Sequence, residues 1–185
     1  MNRSFTLKII FICFFVWFSS IVKLKSQNQN TDPKTFDLDS KLAAMGAAQD
    51  EQTKVDGIYL NSLISDLLPS IYFQQGKLMG AYKENPIVLF TDISSLTSLS
   101  DHNPLYKKIE IISIKIKRPE DLQKVLKFSD LMGFDNLKYI YFLCDFNICP
   151  DQAQNTSCAN EKISAMIQRT ENSSIEILFK TNIGS

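Results

Sequence analysis

Histidine is nearly missing from this 185-residue chain: His102 is the only one. That scarcity argues against a zinc centre, which draws four ligands at recognisable spacing from cysteine, histidine and carboxylate side chains. The chain also lacks a G-x-S-x-G elbow, a phosphate-binding loop, a dinucleotide fingerprint and an H-E-x-x-H helix. None of the common nucleophile, phosphate or metalloprotease constellations is therefore written in it. No C-x-x-C pair occurs, which removes the usual arrangement of a redox-active dithiol. No block of basic residues is present either, so neither nucleic acid nor an anionic membrane surface is an expected partner. No cofactor and no metal are expected.

What the chain does have begins at its first residues, MNRSFTLKIIFICFFVWFSSIVKLKS. Arg3 and Lys8 precede an apolar run from residue 9 to residue 18, which breaks at Ser19 and Ser20 before reaching the ~20 residues of a spanning helix. This is the layout of a secretory signal peptide, with cleavage expected after Ser26. A membrane association is expected only if that segment stays uncleaved. Its removal takes away Arg3, Lys8, Lys23 and Lys25, leaving 16 basic against 20 acidic residues in a mature chain of 159. That length suits one domain with a core of its own.

Residues 27–36 begin with the polar stretch QNQNTDPK and are expected to form a flexible linker. Residues 37–185 are expected to form one α/β domain. Within it, residues 37–80 read as helical: Asp39 and Ser40 are placed to cap an Ala-rich helix, and Val55, Ile58, Tyr59, Leu63, Leu67 and Leu68 recur at helical spacing up to Pro69. From residue 86 onward the period changes. Residues 87–93, 109–116, 137–146 and 175–179 are short runs of β-branched and aromatic residues, which predict four strands. A helix is predicted between the second and third, over RPEDLQKVLKFSDLMGF, and another over residues 159–169. Alternation of this kind points to a mostly parallel sheet.

In LKYIYFLCDFNICPDQAQNTSC, residues 137–158, strand alternation puts Ile140, Phe142, Cys144 and Phe146 on one side and Tyr139, Tyr141, Leu143 and Asp145 on the other. Cys144 in its apolar row is expected to be a buried free thiol. Cys149 and Cys158 then remain as the pair that closes a polar loop by a disulfide in an oxidising compartment.

The strand segments resemble a leucine-rich repeat, whose pattern places apolar residues at positions one, four and six and Asn at nine. Leu137, Ile140, Phe142 and Asp145 occupy those places in the third segment, Ser174, Ile177, Phe179 and Asn182 in the last, and Ile109, Ile112, Ile114 and Lys117 in the second. The fourth positions, Leu89, Ile112, Ile140 and Ile177, step by 23, 28 and 37 residues. The resemblance implies a short solenoid whose exposed strand face recognises another protein, with Tyr139 and Tyr141 on that face. The alternative is a compact two- or three-layer sandwich in which both faces are covered and these tyrosines belong to the core.

A second stretch, IVLFTDISSLTSLS, is similar to the first metal-binding segment of class III nucleotidyl cyclases and would make Asp92 a metal ligand. The nearest second aspartate, Asp135 in GFDN, lacks the Gly-Asp hairpin of that family. The expectation is thus an exported, non-enzymatic protein-binding or structural module. Its rival is an extracytoplasmic hydrolase with an acidic or metal-dependent site at strand ends, drawing on Asp92, Asp145 or His102.

Overall fold

The computed structural model describes residues 34–100, 103–150, 156–168 and 174–181. All belong to one compact unit, Asp32–Ser185. The architecture is α/β, built on a seven-stranded, mostly parallel sheet. Its strands are β1 (Thr35–Asp37), β2 (Ser70–Gln74), β3 (Lys77–Tyr82), β4 (Val88–Asp92), β5 (Ile111–Ile116), β7 (Tyr139–Cys144) and β9 (Glu176–Thr181). They lie in the order β1-β9-β7-β5-β4-β2-β3. Only β3 is antiparallel to its neighbour. Two short strands, β6 (Leu126–Lys127) and β8 (Ile167–Gln168), pair in parallel as a separate sheet.

From β4 onward each main-sheet strand joins the sheet beside the one before it. The ladder register brings Leu89 opposite Ile112, Ile112 opposite Ile140, and Ile140 opposite Ile177. Because side chains alternate along a strand, this row and its neighbours Ile114, Phe142 and Cys144 form one face. The connections cover it with Leu96, Leu99, Tyr106, Phe128, Phe134 and Ile163. Tyr106 and Phe134 stack at 4.6 Å within that layer.

The opposite face, carrying Val88, Ile111, Tyr141 and Leu178, packs under an N-terminal helix pair through Leu38, Leu60 and Leu63. The pair is α1 (Leu38–Gly46) and α2 (Glu51–Ser65). Asp37 caps α1 by accepting from the Ser40 amide, and Asp50 caps α2 by accepting from that of Thr53. The expected cap Asp39 is instead the first-turn acid and pairs with Lys180 at 2.9 Å. Gly57 lets the two helices approach, since a Cβ there would lie 2.9 Å from the Met45 Cβ.

Three expectations need correction. Residues 70–80, read as helical, belong to the β2–β3 hairpin, because Gln75 and Gly76 both take positive φ (51° and 70°) as a tight two-residue turn requires. The linker expected over residues 27–36 includes the start of β1, which Lys34 and the ladder to β9 hold in place. The helix expected between the second and third strands is two 3₁₀ turns, Pro119–Gln123 and Phe128–Leu131, separated by β6. A 3₁₀ turn repeats its apolar face every three residues, which imitates helical spacing in a short window. The last predicted helix is present as α3 (Thr156–Ala165).

Candidate functional site

The carboxyl ends of β4 and β5 open on a cavity of about 500 Å³. It lies where ligands commonly bind in parallel sheets, beyond the strand ends. Asp92, the last residue of β4, sits opposite Lys115 in the ladder, and both line the cavity. Asp92 is fully engaged. Its Oδ1 accepts from the Ser94 hydroxyl, the Ser95 amide (3.0 Å) and the Ser95 hydroxyl (3.1 Å), and its Oδ2 accepts from the Gln75 amide (3.1 Å). Burial pushes its pKa up, but these bonds outweigh it and hold the carboxyl below the ordinary value. The residue thus caps the 3₁₀ helix Ile93–Ser100 and ties the hairpin turn to it, helped by a bond from the Gly76 amide to the Ser95 hydroxyl.

Asp145, just beyond β7, is ion-paired with Lys115 at 3.0 Å. Asp135 is exposed ahead of β7, at the opposite ends of the parallel strands from Asp92, so the two aspartates of the cyclase arrangement do not converge. His102 lies outside the described residues. Among the described residues no three histidine, cysteine, aspartate or glutamate side chains converge as a metal-binding set.

The cavity owes its charge to residues that the sequence reading did not single out for a site. Lys115, Lys117, Arg118 and Lys124 line it, against Asp92 and Asp121. Asp121 is buried in the 3₁₀ turn Pro119–Gln123 and faces Lys124 at 3.1 Å and Arg118 at 3.7 Å. The run KIKR at the end of β5 is the one signal in the sequence. Gln74, Gln75 and Lys124 reach the same place only through sheet pairing and the loop after Arg118.

A second cavity, of about 430 Å³, lies between α1, β1 and the start of α3. Asn160 on its wall has a buried Oδ1 without a hydrogen-bond partner among the described residues.

Tyr139 and Tyr141 lie on the face opposite Cys144, as strand alternation predicts. That face is covered: Tyr141 is buried and Tyr139 half-buried against the helix pair. Burial pushes the Tyr141 hydroxyl up to about 12, with the charge of Asp39 adding to it. The exposed recognition face implied for these tyrosines is therefore replaced by the helix-covered one, because Leu38, Leu60 and Leu63 need an apolar surface to bury against.

Exposure is concentrated elsewhere. All six residues of β3 are exposed, with Leu78 at 45%, Met79 at 64% and Tyr82 at 40%. The opposite sheet edge, β1, is three residues long and packs beside α3, where Thr35 and Ser164 share a 2.8 Å hydroxyl bond.

Cys149 and Cys158 form a disulfide, with Cα atoms 6.4 Å apart. Cys144 is a buried free thiol whose pKa burial raises to about 12. The disulfide is compatible with an extracytoplasmic location. No helix among the described residues is long and apolar enough to cross a membrane.

No family model, no curated protein and no solved structure matches this chain.

Proposed function

We propose that this domain is an exported, non-enzymatic protein-binding module that uses β3 to receive an extended segment of a partner protein. The observation that carries the reading is the contrast between the two sheet edges. A strand edge presents unpaired N–H and C=O groups, and proteins normally shorten, cover or charge such edges. The β1 edge is short and packed beside α3, whereas β3 is longer, exposed throughout and carries Leu78, Met79 and Tyr82. An added strand would gain main-chain bonds from the edge and specificity from alternate side chains. The bulge between Tyr72 and Phe73 leaves Met79 without a ladder partner and divides the edge into two short registers, so the bound segment would be short.

A photo-crosslinker in place of Met79 should yield a product with a different polypeptide in the native extracytoplasmic fraction. The product should vanish when Leu78→Lys is added, a change at an exposed position that leaves the core alone. A product with a second copy of the chain only, or one indifferent to Leu78→Lys, would overturn the reading.

Two finer features belong to the same proposal. The sheet is read as a short leucine-rich-repeat-like solenoid; the ladder alignment of Leu89, Ile112, Ile140 and Ile177, the fourth positions of the repeat pattern, supports it. The mature protein is read as secreted or periplasmic, beginning at Gln27 after cleavage; the disulfide supports that. Mass analysis of the N-terminus decides it, since an intact, membrane-bound chain would show an anchor instead.

A further inference from the structure

The polar cavity at the ends of β4 and β5 plays no part in strand addition, and its chemistry is specific. We propose that it binds the phosphate group of a small phosphate monoester, with Lys117, Arg118 and Lys124 as the anion-binding side chains.

Three observations carry this. The first is charge. Four cationic side chains line the cavity against two carboxylates, in a chain whose formal net charge is zero. The carboxylates are both occupied: Asp92 accepts four hydrogen bonds from Gln75, Ser94 and Ser95, and buried Asp121 lies between Arg118 and Lys124. Lys115 is shared with Asp145 at the rim. Lys117 is exposed and forms no ion pair with any described residue.

The second is preorganisation. Asp121 sits in the 3₁₀ turn Pro119–Gln123, with Arg118 at one end of that turn and Lys124 at the other. One buried carboxylate therefore draws Lys124, and more loosely the largely exposed Arg118, beside the cavity before any ligand arrives. Part of the ordering entropy normally lost on binding is lost on folding instead. A guanidinium and ammonium groups held together in this way suit the several acceptor oxygens and double charge of a phosphate monoester.

The third is size and shape. About 500 Å³ is the volume of a small-molecule site and exceeds what a bare ion needs. It is a cavity at strand ends rather than an extended basic track, which is the wrong form for a nucleic-acid backbone. Gln74 and Gln75 also line the cavity, and their carboxamides suit the remainder of the ligand.

The test is calorimetric titration of the folded protein with glycerol 3-phosphate, inorganic phosphate and glycerol. The ester should bind, phosphate should bind more weakly by about fivefold or more, and glycerol should not bind. Lys117→Ala should weaken the ester about tenfold, as should Arg118→Ala, while Lys127→Ala, at an exposed residue of β6, should leave it unchanged. Thermal melts should show Lys117→Ala folded normally, because that side chain is exposed and ion-pairs with no described residue. Affinity should fall as pH drops through about 6, where a phosphate monoester loses its second charge. The charged groups facing the site are Lys115, Lys117, Arg118 and Lys124, with the carboxylates Asp92 and Asp121 and, through Lys115, Asp145.

Equal affinity for ester and free phosphate would overturn the ester and leave an ion site only. Absence of binding, or equal weakening by Lys127→Ala, would overturn the site itself.

Discussion

At the scale of single residues, Asp92 shows how a carboxylate at a strand end can serve structure rather than chemistry. Its folded pKa is depressed, so the stability it contributes is fully present above its ordinary value of 3.8 and is lost as pH falls through the lower folded value. Asp92→Asn keeps one acceptor and removes the charge. It should cost about 1 kcal/mol at neutral pH, in line with charge-assisted bonds at a partly exposed cap. Urea unfolding should show that gap unchanged well above 3.8 and closing only as pH falls through the lower folded value, where the native side chain is itself protonated. A gap that persisted at low pH would assign the effect to geometry instead of charge.

Cys144 makes the complementary case. With its thiol pushed up to about 12 and buried, it should resist alkylation in the native protein at neutral pH. Peptide mapping should find it labelled only after unfolding. Its position was legible in the sequence because Ile140 and Phe142 precede it at period two in an apolar row. The partnership of Cys149 with Cys158 was legible for the same reason, once Cys144 was turned inward.

At the scale of elements, the strands from β4 onward were readable and the connections were not. Runs such as IISIKI and YIYFLC are rich in β-branched or aromatic residues and lie between turns, so local preference and burial agree. The β2–β3 hairpin was missed because its turn uses Gln75 at positive φ, where asparagine or aspartate before glycine is the usual signal. The cationic cavity was invisible apart from KIKR because its walls come from three separated segments.

Two predictions belong to this scale. Gly57→Ala would normally gain about 1 kcal/mol of helix propensity in the middle of α2. Here the new Cβ meets that of Met45 at 2.9 Å, an atom fixed to its backbone, so the helices must separate. A net loss of about 1–2 kcal/mol is expected in chemical denaturation. A second change, Met45→Gly, should relieve the clash, and a stabilised Gly57→Ala single variant would show that the helix pair yields easily.

The disulfide is the other case. Cys149 and Cys158 are nine residues apart, and closing so short a loop contributes about 2–3 kcal/mol in the chain-entropy description. Cys158→Ser should lose about that much under oxidising conditions and nothing relative to the parent under reductant. A difference that survived reduction would place the effect in the packing of the partly buried Cys158 side chain.

At the scale of the whole molecule, the seating of β1 is set by the far end of the chain. Thr35, Phe36 and Asp37 pair with Ile177, Leu178 and Phe179. Lys41 meets Glu176 at 2.9 Å and Asp39 meets Lys180 at 2.9 Å. As the chain emerges from a ribosome or a translocation channel, β1 therefore has no ladder partner until β9 has followed it out. The strand must wait without that partner through the synthesis of about 140 further residues, which is the kind of long-range closure that slows folding. A chain ending at residue 173 should accordingly lose amide protection at Thr35–Asp37 as well as along β7. If those N-terminal amides stayed protected in the shortened chain, β1 would have a seat of its own and the waiting period would not exist.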